Sequence, residues 1–324
     1  MQRPRLYVSR EVHPSVLSRL REVCETRSWV GSGRCPADQL EKEVAHVAAV
    51  LGTDRWTGEL MDKAPHLRII ALTAVGFDSV DVAAATERGI IVTNTAGSLT
   101  DTVADLVFAL ILASARRVCE MDRWVRNGKW QDAAPMALDV HHKTLGIVGF
   151  GRIGVAVAER ARGFQMPVLY HDVVRRQDLE QQFGHRFLDL DSLLRESDFV
   201  TIHTALTPKT RGMIGAAQLG KMKPTAFLIN TSRGPVVNEG ALIQALQQGR
   251  IAGAGLDVFE EEPIDSKSPL LKMENVVTLP HVGSATEATR RAMVDLAADN
   301  TLAVMQGRQP LTPVNPEVLS RLKR

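Results

Sequence analysis

The stretch Leu145-Gly146-Ile147-Val148-Gly149-Phe150-Gly151-Arg152-Ile153-Gly154 decides the predicted fold. A strand-length apolar run leads directly into the pattern Gly149-x-Gly151-x-x-Gly154, and a segment with helical periodicity follows it. In a strand–turn–helix unit, the first glycine makes the tight turn, the second lets the backbone approach a pyrophosphate, and the third allows the helix to pack closely on the strand. The first amide groups of such a helix attract phosphate. The stretch therefore predicts a dinucleotide-binding unit; a glycine-rich turn without a ligand is the alternative interpretation.

The next predicted strand ends in an acidic residue. Asp172 closes the run Val168–Asp172 and lies 23 residues after Gly149. An acid at this position accepts hydrogen bonds from the ribose hydroxyls of NAD and repels the 2′-phosphate of NADP. Arg175 and Arg176 follow closely, and a basic pair can hold that phosphate. The sequence favours NAD and leaves NADP open, while an ordinary surface acid in a turn is the alternative for Asp172.

Along the whole chain, strand-like and helix-like segments alternate in two series, and the second series includes this stretch. The first series occupies about residues 5–93 and the second begins at Lys143. Such alternation is typical of parallel sheets covered by helices on both faces. Between the two series, the apolar periodicity predicts one long buried helix from about Asp101 to Asn127, and a last helix is predicted over Thr286–Met305. The fold class is therefore α/β, with two doubly wound parallel-sheet domains.

Composition excludes several function classes. The 324 residues include 39 Lys+Arg and 37 Asp+Glu, a net charge of +2, and these charges are interleaved. Nucleic acid is therefore not an expected partner. The longest apolar stretch, Val103–Ala115, is shorter than the roughly 20 residues of a membrane span, so we expect no membrane partner and a cytoplasmic location. The three cysteines have no zinc-site or disulfide spacing, and we predict no metal.

Three later loops each carry a chemically active side chain. Arg233 follows one predicted strand, Glu262 follows the next, and His281 follows the third. Because ligands bind outside the carboxyl ends of strands in open parallel sheets, the three loops should converge beside the dinucleotide. Considered singly, Arg233 could be a surface charge, Glu262 a solvated acid, and His281 a capping or core histidine. Their joint placement predicts an active site.

The sequence resembles the D-isomer-specific 2-hydroxyacid dehydrogenase family, and most closely its glyoxylate/hydroxypyruvate reductase branch. The resemblance covers nearly the whole chain, and it includes the 29-residue spacing from Arg233 to Glu262. The matching segments are Thr73–Asp78, Val92–Thr95, Leu99–Asp105, Gly149–Gly154, Asn230–Gly234, Gly255–Pro263 and Leu279–Ser284.

This resemblance implies a division of the chain into two domains with a cleft between them. Residues 1–99 together with 286–324 would form a flavodoxin-like substrate-binding domain. Residues 100–285 would form the Rossmann cofactor domain, with segment 100–142 joining two subunits of a homodimer. For that segment, core packing within one subunit is the alternative.

The resemblance also implies roles for single residues. Arg233 would bind the substrate carboxylate and polarise its keto oxygen, His281 would be the general acid and base, and Glu262 would pair with His281. Val75 and Gly76 would offer backbone amides to the same carboxylate. The implied cofactor contacts are Thr102, Gly149, Gly151, Arg152, Ile153, Gly154, Asp172, Thr231, Ser232, Asp257, His281 and Gly283.

The expected activity is the reduction of a small 2-keto acid, glyoxylate or hydroxypyruvate, to the D-2-hydroxy acid by hydride transfer from NAD(P)H. This oxidoreductase would take only small 2-keto and 2-hydroxy acids and the dinucleotide as ligands. Two alternatives stay open. One is a reductase of the same family that acts on 2-ketogluconate. The other is a dinucleotide-sensing binding protein, because transcriptional corepressors use the same fold.

Overall fold

The computed structural model describes residues 3–31, 35–130 and 134–323 of the chain. The chain divides into two compact units, Met1–Leu99 with Ala285–Arg324, and Thr100–Ser284. Each unit is built on its own parallel sheet.

The first unit has a five-stranded parallel sheet in the order β2-β1-β3-β4-β5, which is the flavodoxin-like order. Its central strands are buried along their whole length, as expected for strands covered on both faces. The elements in chain order are β1 (Arg5–Val8), α1 (Pro14–Val23), β2 (Glu25–Ser28), α2 (Ala37–Val44), β3 (Ala49–Gly52), α3 (Gly58–Asp62), β4 (Ile69–Leu72), α4 (Val82–Glu87) and β5 (Ile91–Thr93).

The second unit has a seven-stranded parallel sheet in the order β12-β11-β10-β9-β6-β7-β8. Its elements are α5 (Thr100–Ala115), α6 (Val118–Arg126), β6 (Leu145–Val148), α7 (Arg152–Ala161), β7 (Val168–His171), α8 (Gln177–Phe183), β8 (Arg186–Phe187), α9 (Leu190–Glu196), β9 (Phe199–Ile202), α10 (Ala216–Leu219), β10 (Phe227–Asn230), α11 (Glu239–Gln247), β11 (Gly253–Leu256) and β12 (Val276–Thr278). The chain then returns to the first unit as α12 (Glu287–Met305).

The predicted fold class is confirmed, because both units are doubly wound parallel sheets. The prediction of one helix over 101–127 is wrong. The helix ends at Ala115 and a second one starts at Val118, since Arg117 takes a left-handed conformation with φ 53°. The Arg117 guanidinium lies 2.6 Å from Glu120, and the Leu138 amide donates to the Ala115 carbonyl at 2.9 Å. The Leu138 amide thus satisfies a carbonyl that has no helical partner at the break.

The order of strands in the second unit locates its ligand edge. From β6 the chain builds outwards through β7 and β8, and then it returns to the other side of β6 to add β9. In doubly wound sheets the crevice at this reversal, outside the carboxyl ends of the strands, is where ligands bind. A ligand is therefore expected to bind at the loops after β6 and β9.

Candidate active site

The glycine loop after β6 has the geometry that its sequence predicts. Gly149 has φ 94°, and a Cβ atom there would lie 2.7 Å from the backbone carbon of His203. A side chain is therefore excluded both by the left-handed backbone and by the neighbouring chain. At Gly151, by contrast, an added Cβ would meet no described atom within 4 Å. The backbone is thus accessible where α7 begins at Arg152, and its first amides are available to an anion.

Asp172 lies beside this loop, and its carboxylate is bound to backbone amides. One oxygen accepts from the Phe150 amide at 2.5 Å, and the other accepts from the Val174 amide at 3.1 Å. Phe150 stands between two glycines of the loop. Asp172 therefore holds the loop in place, a role that the sequence analysis did not foresee. Each oxygen keeps a second lone pair, so ribose binding by Asp172 is compatible with this arrangement.

Three buried polar atoms lie at the carboxyl ends of β9 and β10. They are His203 Nε2, Thr204 Oγ1 and Thr231 Oγ1, and none has a hydrogen-bond partner within the part of the chain that the structure describes. Burial lowers the pKa of His203 to about 3, so its imidazole is neutral. An unpaired buried polar group costs about 1–3 kcal/mol. His203 and Thr204 were not predicted as site residues, although they directly follow the buried strand β9, where ligands bind in such sheets.

Three features of these loops bear on whether a dinucleotide could bind there. The accessible backbone at Gly151, the uncapped helix start and the three unpaired polar atoms all lie in the loops at the carboxyl edge of adjoining strands. A polar, phosphate-bearing ligand would satisfy such groups. The residues therefore fit a dinucleotide, while phosphate binding by the amides of Arg152 and Ile153 and a contact with the Thr231 hydroxyl stay predictions.

Glu262 and His281 form the chemically active pair of the second unit. The imidazole Nδ1 and Glu262 Oε2 are 2.7 Å apart, and the Phe259 amide donates to Oε1 of the same carboxylate at 3.2 Å. Burial alone raises the pKa of Glu262, but the hydrogen bond and charge of His281, helped by Arg233, outweigh it, and the pKa is lowered. Glu262 is therefore a carboxylate, and it fixes the imidazole through Nδ1, which leaves Nε2 for proton transfer.

Asp257 holds the loop that carries His281. Its side chain is fully buried after β11, and its two oxygens accept from the Val282 and Gly283 amides at 2.8 Å each. Its backbone carbonyl accepts from the His281 amide at 2.9 Å. Burial raises the pKa of Asp257 against the opposing effect of the two amides. These bonds hold His281 at φ 55°, a conformation that non-glycine residues adopt at a cost and that is enriched at functional sites.

The loop of Arg233 packs against the loop that carries Glu262. A Cβ atom at Gly234 would lie 1.8 Å from the Phe259 carbonyl oxygen, so only glycine permits this contact. The buried Asn230 amide donates to the Arg233 carbonyl at 3.0 Å and fixes the turn. The positive charge of Arg233 also acts to lower the pKa of Glu262. The structure thus brings the loops of Arg233, Glu262 and His281 together.

The remaining predicted site residues lie on ordered elements. Thr102 is in the first turn of α5, and the Ser232 hydroxyl donates to the Asn230 side chain at 2.8 Å. In the first unit, Val75 and Gly76 follow β4, and the Asn94 side chain donates to the Val75 carbonyl at 2.8 Å. Their roles towards substrate and cofactor stay predictions.

Within residues 3–31, 35–130 and 134–323, no helix is both long and apolar enough to cross a membrane. The same ranges contain no group of three or more His, Cys, Asp and Glu side chains arranged to hold a metal ion.

Comparison with known proteins places the chain in a family. The sequence pattern of the "D-isomer specific 2-hydroxyacid dehydrogenase, NAD binding domain" matches residues 108–283. The glyoxylate reductase of Korarchaeum cryptofilum is 50% identical over 98% of this chain and 97% of its own length.

Solved structures agree with this. The NADPH-dependent glyoxylate/hydroxypyruvate reductase of Sinorhizobium meliloti, crystallised with NADP and malonate, is 38% identical, covers 97% of both chains and has a TM-score of 0.87. A glyoxylate reductase from Paecilomyes thermophila is 30% identical, with 98% of this chain and 100% of its own covered, at a TM-score of 0.90. The chain therefore belongs to the D-isomer specific 2-hydroxyacid dehydrogenase family, and its second unit carries that family's NAD-binding domain.

Proposed function

We propose that this enzyme reduces glyoxylate or hydroxypyruvate to the D-2-hydroxy acid with NADH or NADPH. The observation that carries the proposal is the 2.7 Å pairing of Glu262 with His281, beside the loop of Arg233. Relatives that are named glyoxylate reductases and match nearly the full length support this choice of substrate. A 2-keto acid is an anion with a carbonyl next to its carboxylate, and an arginine with an adjacent acid–base pair suits that structure.

When bound in the second unit, NADH or NADPH would supply the hydride that the keto carbon of the substrate receives. Arg233 binds the substrate carboxylate through its planar fork and polarises the keto oxygen. As the carbonyl carbon gains the hydride, negative charge develops on that oxygen, and His281 donates a proton to it from Nε2. The keto acid thus gains one hydride and one proton and becomes the hydroxy acid. In the reverse direction the neutral His281 accepts the hydroxyl proton.

Glu262 acts on this step through His281. Its carboxylate stabilises the imidazolium that donates the proton and fixes the ring through Nδ1. Asp257 contributes by holding the loop of His281 at three hydrogen bonds. A role for Asp257 in holding the carboxamide of the nicotinamide is part of the proposal. Substrate binding by the backbone amides of Val75 and Gly76 also belongs to the proposal.

A homodimer through segment 100–142 is the proposed assembly. Five large apolar side chains of this segment are at least 40% exposed, and exposed apolar surface concentrated in one segment supports an interface there. They are Val118, Val125, Trp130, Met136 and Leu138. Residues 131–133 of the segment lie outside the described residues. Light scattering of the purified chain tests whether it is a dimer. The cytoplasmic location is a separate prediction from the sequence.

The activity is tested with a kinetic panel. Glyoxylate, hydroxypyruvate and 2-ketogluconate are each offered with NADH and with NADPH, and loss of reduced-nicotinamide absorbance is followed. We expect kcat/KM to be higher for the two small acids than for 2-ketogluconate. The opposite order would favour the sugar-acid reductase. Binding of dinucleotide without turnover of any keto acid would favour the binding protein instead.

A further inference from the structure

The turn after β7 carries two arginines next to Asp172. In doubly wound sheets the adenosine ribose binds here, and an arginine near the acidic residue accommodates the 2′-phosphate of NADP. Arg175 and Arg176 are the third and fourth residues after Asp172. Whether they can take a phosphate depends on what already binds their guanidinium groups.

Arg175 is held by Glu180 of α8 through two parallel hydrogen bonds. Its Nε donates to Glu180 Oε1 at 2.9 Å and its Nη2 donates to Oε2 at 2.8 Å. The guanidinium carbon also lies 5.6 Å from the centre of the Phe187 ring. Bidentate pairs of this kind are the strong form of the arginine–carboxylate interaction. These bonds commit the Nε–Nη2 edge of Arg175 to Glu180, and the paired carboxylate both orients the guanidinium and opposes a nearby phosphate by its charge.

Glu180 is itself held in place by a buried side chain. The hydroxyl of the buried Tyr170 donates to its Oε1 at 2.7 Å, and only 15% of the Glu180 side chain is exposed. The same hydroxyl accepts from the Arg176 amide at 2.7 Å, which ties the turn to the carboxylate. Hydrogen bonds from Arg175 and Tyr170 lower the pKa of Glu180 to about 2. The carboxylate therefore stays charged and in place near neutral pH.

Arg176 also forms a bidentate pair, in which its Nε and Nη2 donate to Asp178 at 3.0 and 2.8 Å. The two pairs differ in the carboxylate, because the Asp178 side chain is 63% exposed and that of Glu180 only 15%. Water and salt weaken a pair with an exposed carboxylate more than one with a buried carboxylate. Arg175 is therefore held more firmly than Arg176. The two arginines can be compared by substituting the acid that pairs with each.

We propose that Glu180 is a specificity-determining residue that withholds Arg175 from the 2′-phosphate and so shifts this enzyme's preference from NADP to NAD. The inference rests on the proposed function, because it assumes that the ribose binds at Asp172. Glu180 acts through Arg175 and is therefore a positioning residue. Its removal should improve the binding of a 2′-phosphate without changing the binding of the rest of the nucleotide.

The test measures binding of two probes by calorimetry, adenosine 2′,5′-bisphosphate and AMP. In Glu180→Gln, the side-chain oxygen can still accept from Tyr170, while the charge that holds Arg175 is lost. We expect affinity for the bisphosphate to rise about tenfold and affinity for AMP to stay unchanged. The matched control Asp178→Asn removes an acid from the other arginine and should change the affinity for either probe less than about threefold. The NADPH/NADH ratio of kcat/KM should rise with the first variant.

Two further variants separate this role from a structural one. Arg175→Ala in the otherwise unchanged chain should leave bisphosphate affinity as it is, since Arg175 is already withheld. Combined with Glu180→Gln, it should abolish the tenfold gain. An unchanged affinity ratio in Glu180→Gln, a gain that persists without Arg175, or a several-fold loss in Arg175→Ala alone would each overturn the inference. If the unaltered chain binds neither AMP nor NADH, the proposed function fails instead.

Discussion

The carboxyl edges of the two sheets differ in what they offer a ligand. In the seven-stranded sheet, the loops there carry Glu262 paired with His281 and include buried polar atoms that the described residues leave unpaired. In the five-stranded sheet, Thr93 Oγ1 and Thr95 Oγ1 are likewise buried without a partner among the described residues, but no acid–histidine pair is found there, and several polar side chains at this edge bind one another or the backbone. Ser9 donates to Asp54, Arg10 donates to Thr73, and Asn94 donates to the Val75 carbonyl.

This difference indicates that the two units contribute differently to the proposed reaction. Groups that can transfer a proton or hold a phosphate lie in the second unit, whereas the edge of the first unit presents a loop braced by side-chain hydrogen bonds. We therefore expect substitutions in the second unit to lower kcat and substitutions in the first unit to raise KM. The predictions below test this separation, from the largest effect to the smallest.

The largest effect is expected for His281→Ala. Without the imidazole, no side chain of the proposed site donates the proton to the developing alkoxide, and kcat should fall about a thousandfold. Dinucleotide affinity, measured by quenching of tryptophan fluorescence, should change little, because the ring acts in proton transfer. Equal losses in kcat and in cofactor affinity would contradict the assigned role.

Glu262→Gln should have the second largest effect. The amide keeps the shape of the side chain but removes the charge that stabilises the imidazolium, so we expect kcat to fall about a hundredfold. The pH profile of kcat should also lose its wild-type form, which a purely structural loss would not cause. Glu261→Gln, the neighbouring acid in the same run, is the control and should retain wild-type kcat. A variant at Glu262 with an unaltered pH profile would refute the pairing.

The fold was largely predictable, because buried parallel strands are apolar throughout. The strand β4, with all four residues buried, stands out in the sequence. The strand β2, Glu-Thr-Arg-Ser, does not, since an edge strand needs few apolar residues and this one alternates exposed with half-buried positions. The break at Arg117 was not foreseeable either, because it depends on a backbone hydrogen bond from distant Leu138.

The candidate site was predictable where chemistry requires a particular residue at the end of a strand. Arg233, Glu262 and His281 follow β10, β11 and β12, and sequence order alone places them there. The hydrogen bond from Phe150 to Asp172 and the pairing of Arg175 with Glu180 were not predicted. Both depend on the paths of loops, and a spacing of residues does not specify those paths.

Asn94→Ala tests the first unit. It removes the hydrogen bond to the Val75 carbonyl, so the loop that is proposed to bind the substrate carboxylate loses a brace. We expect KM for the keto acid to rise about fivefold, equivalent to roughly 1 kcal/mol, with kcat within about twofold of wild type. Asn315→Ala is the control. It removes the hydrogen bond that the Val92 amide donates to Asn315, together with those that Asn315 donates to Thr86 and Ile90, and should lower stability without raising KM. An equal fall in kcat for Asn94→Ala would break the proposed separation.

The smallest effect concerns stability in acid. The folded protein lowers the pKa of Glu262 from its ordinary value of 4.5, so this carboxylate adds to the free energy of unfolding above that value. As pH falls through the lowered pKa, Glu262 becomes protonated in the folded state as well, and the contribution is lost. Urea unfolding should therefore show wild type and Glu262→Gln differing most near neutral pH and converging in acid. Because about a third of the side chain is exposed, the difference should be modest. A gap that widens in acid would mean that Glu262 is not held as a carboxylate by His281 and Arg233.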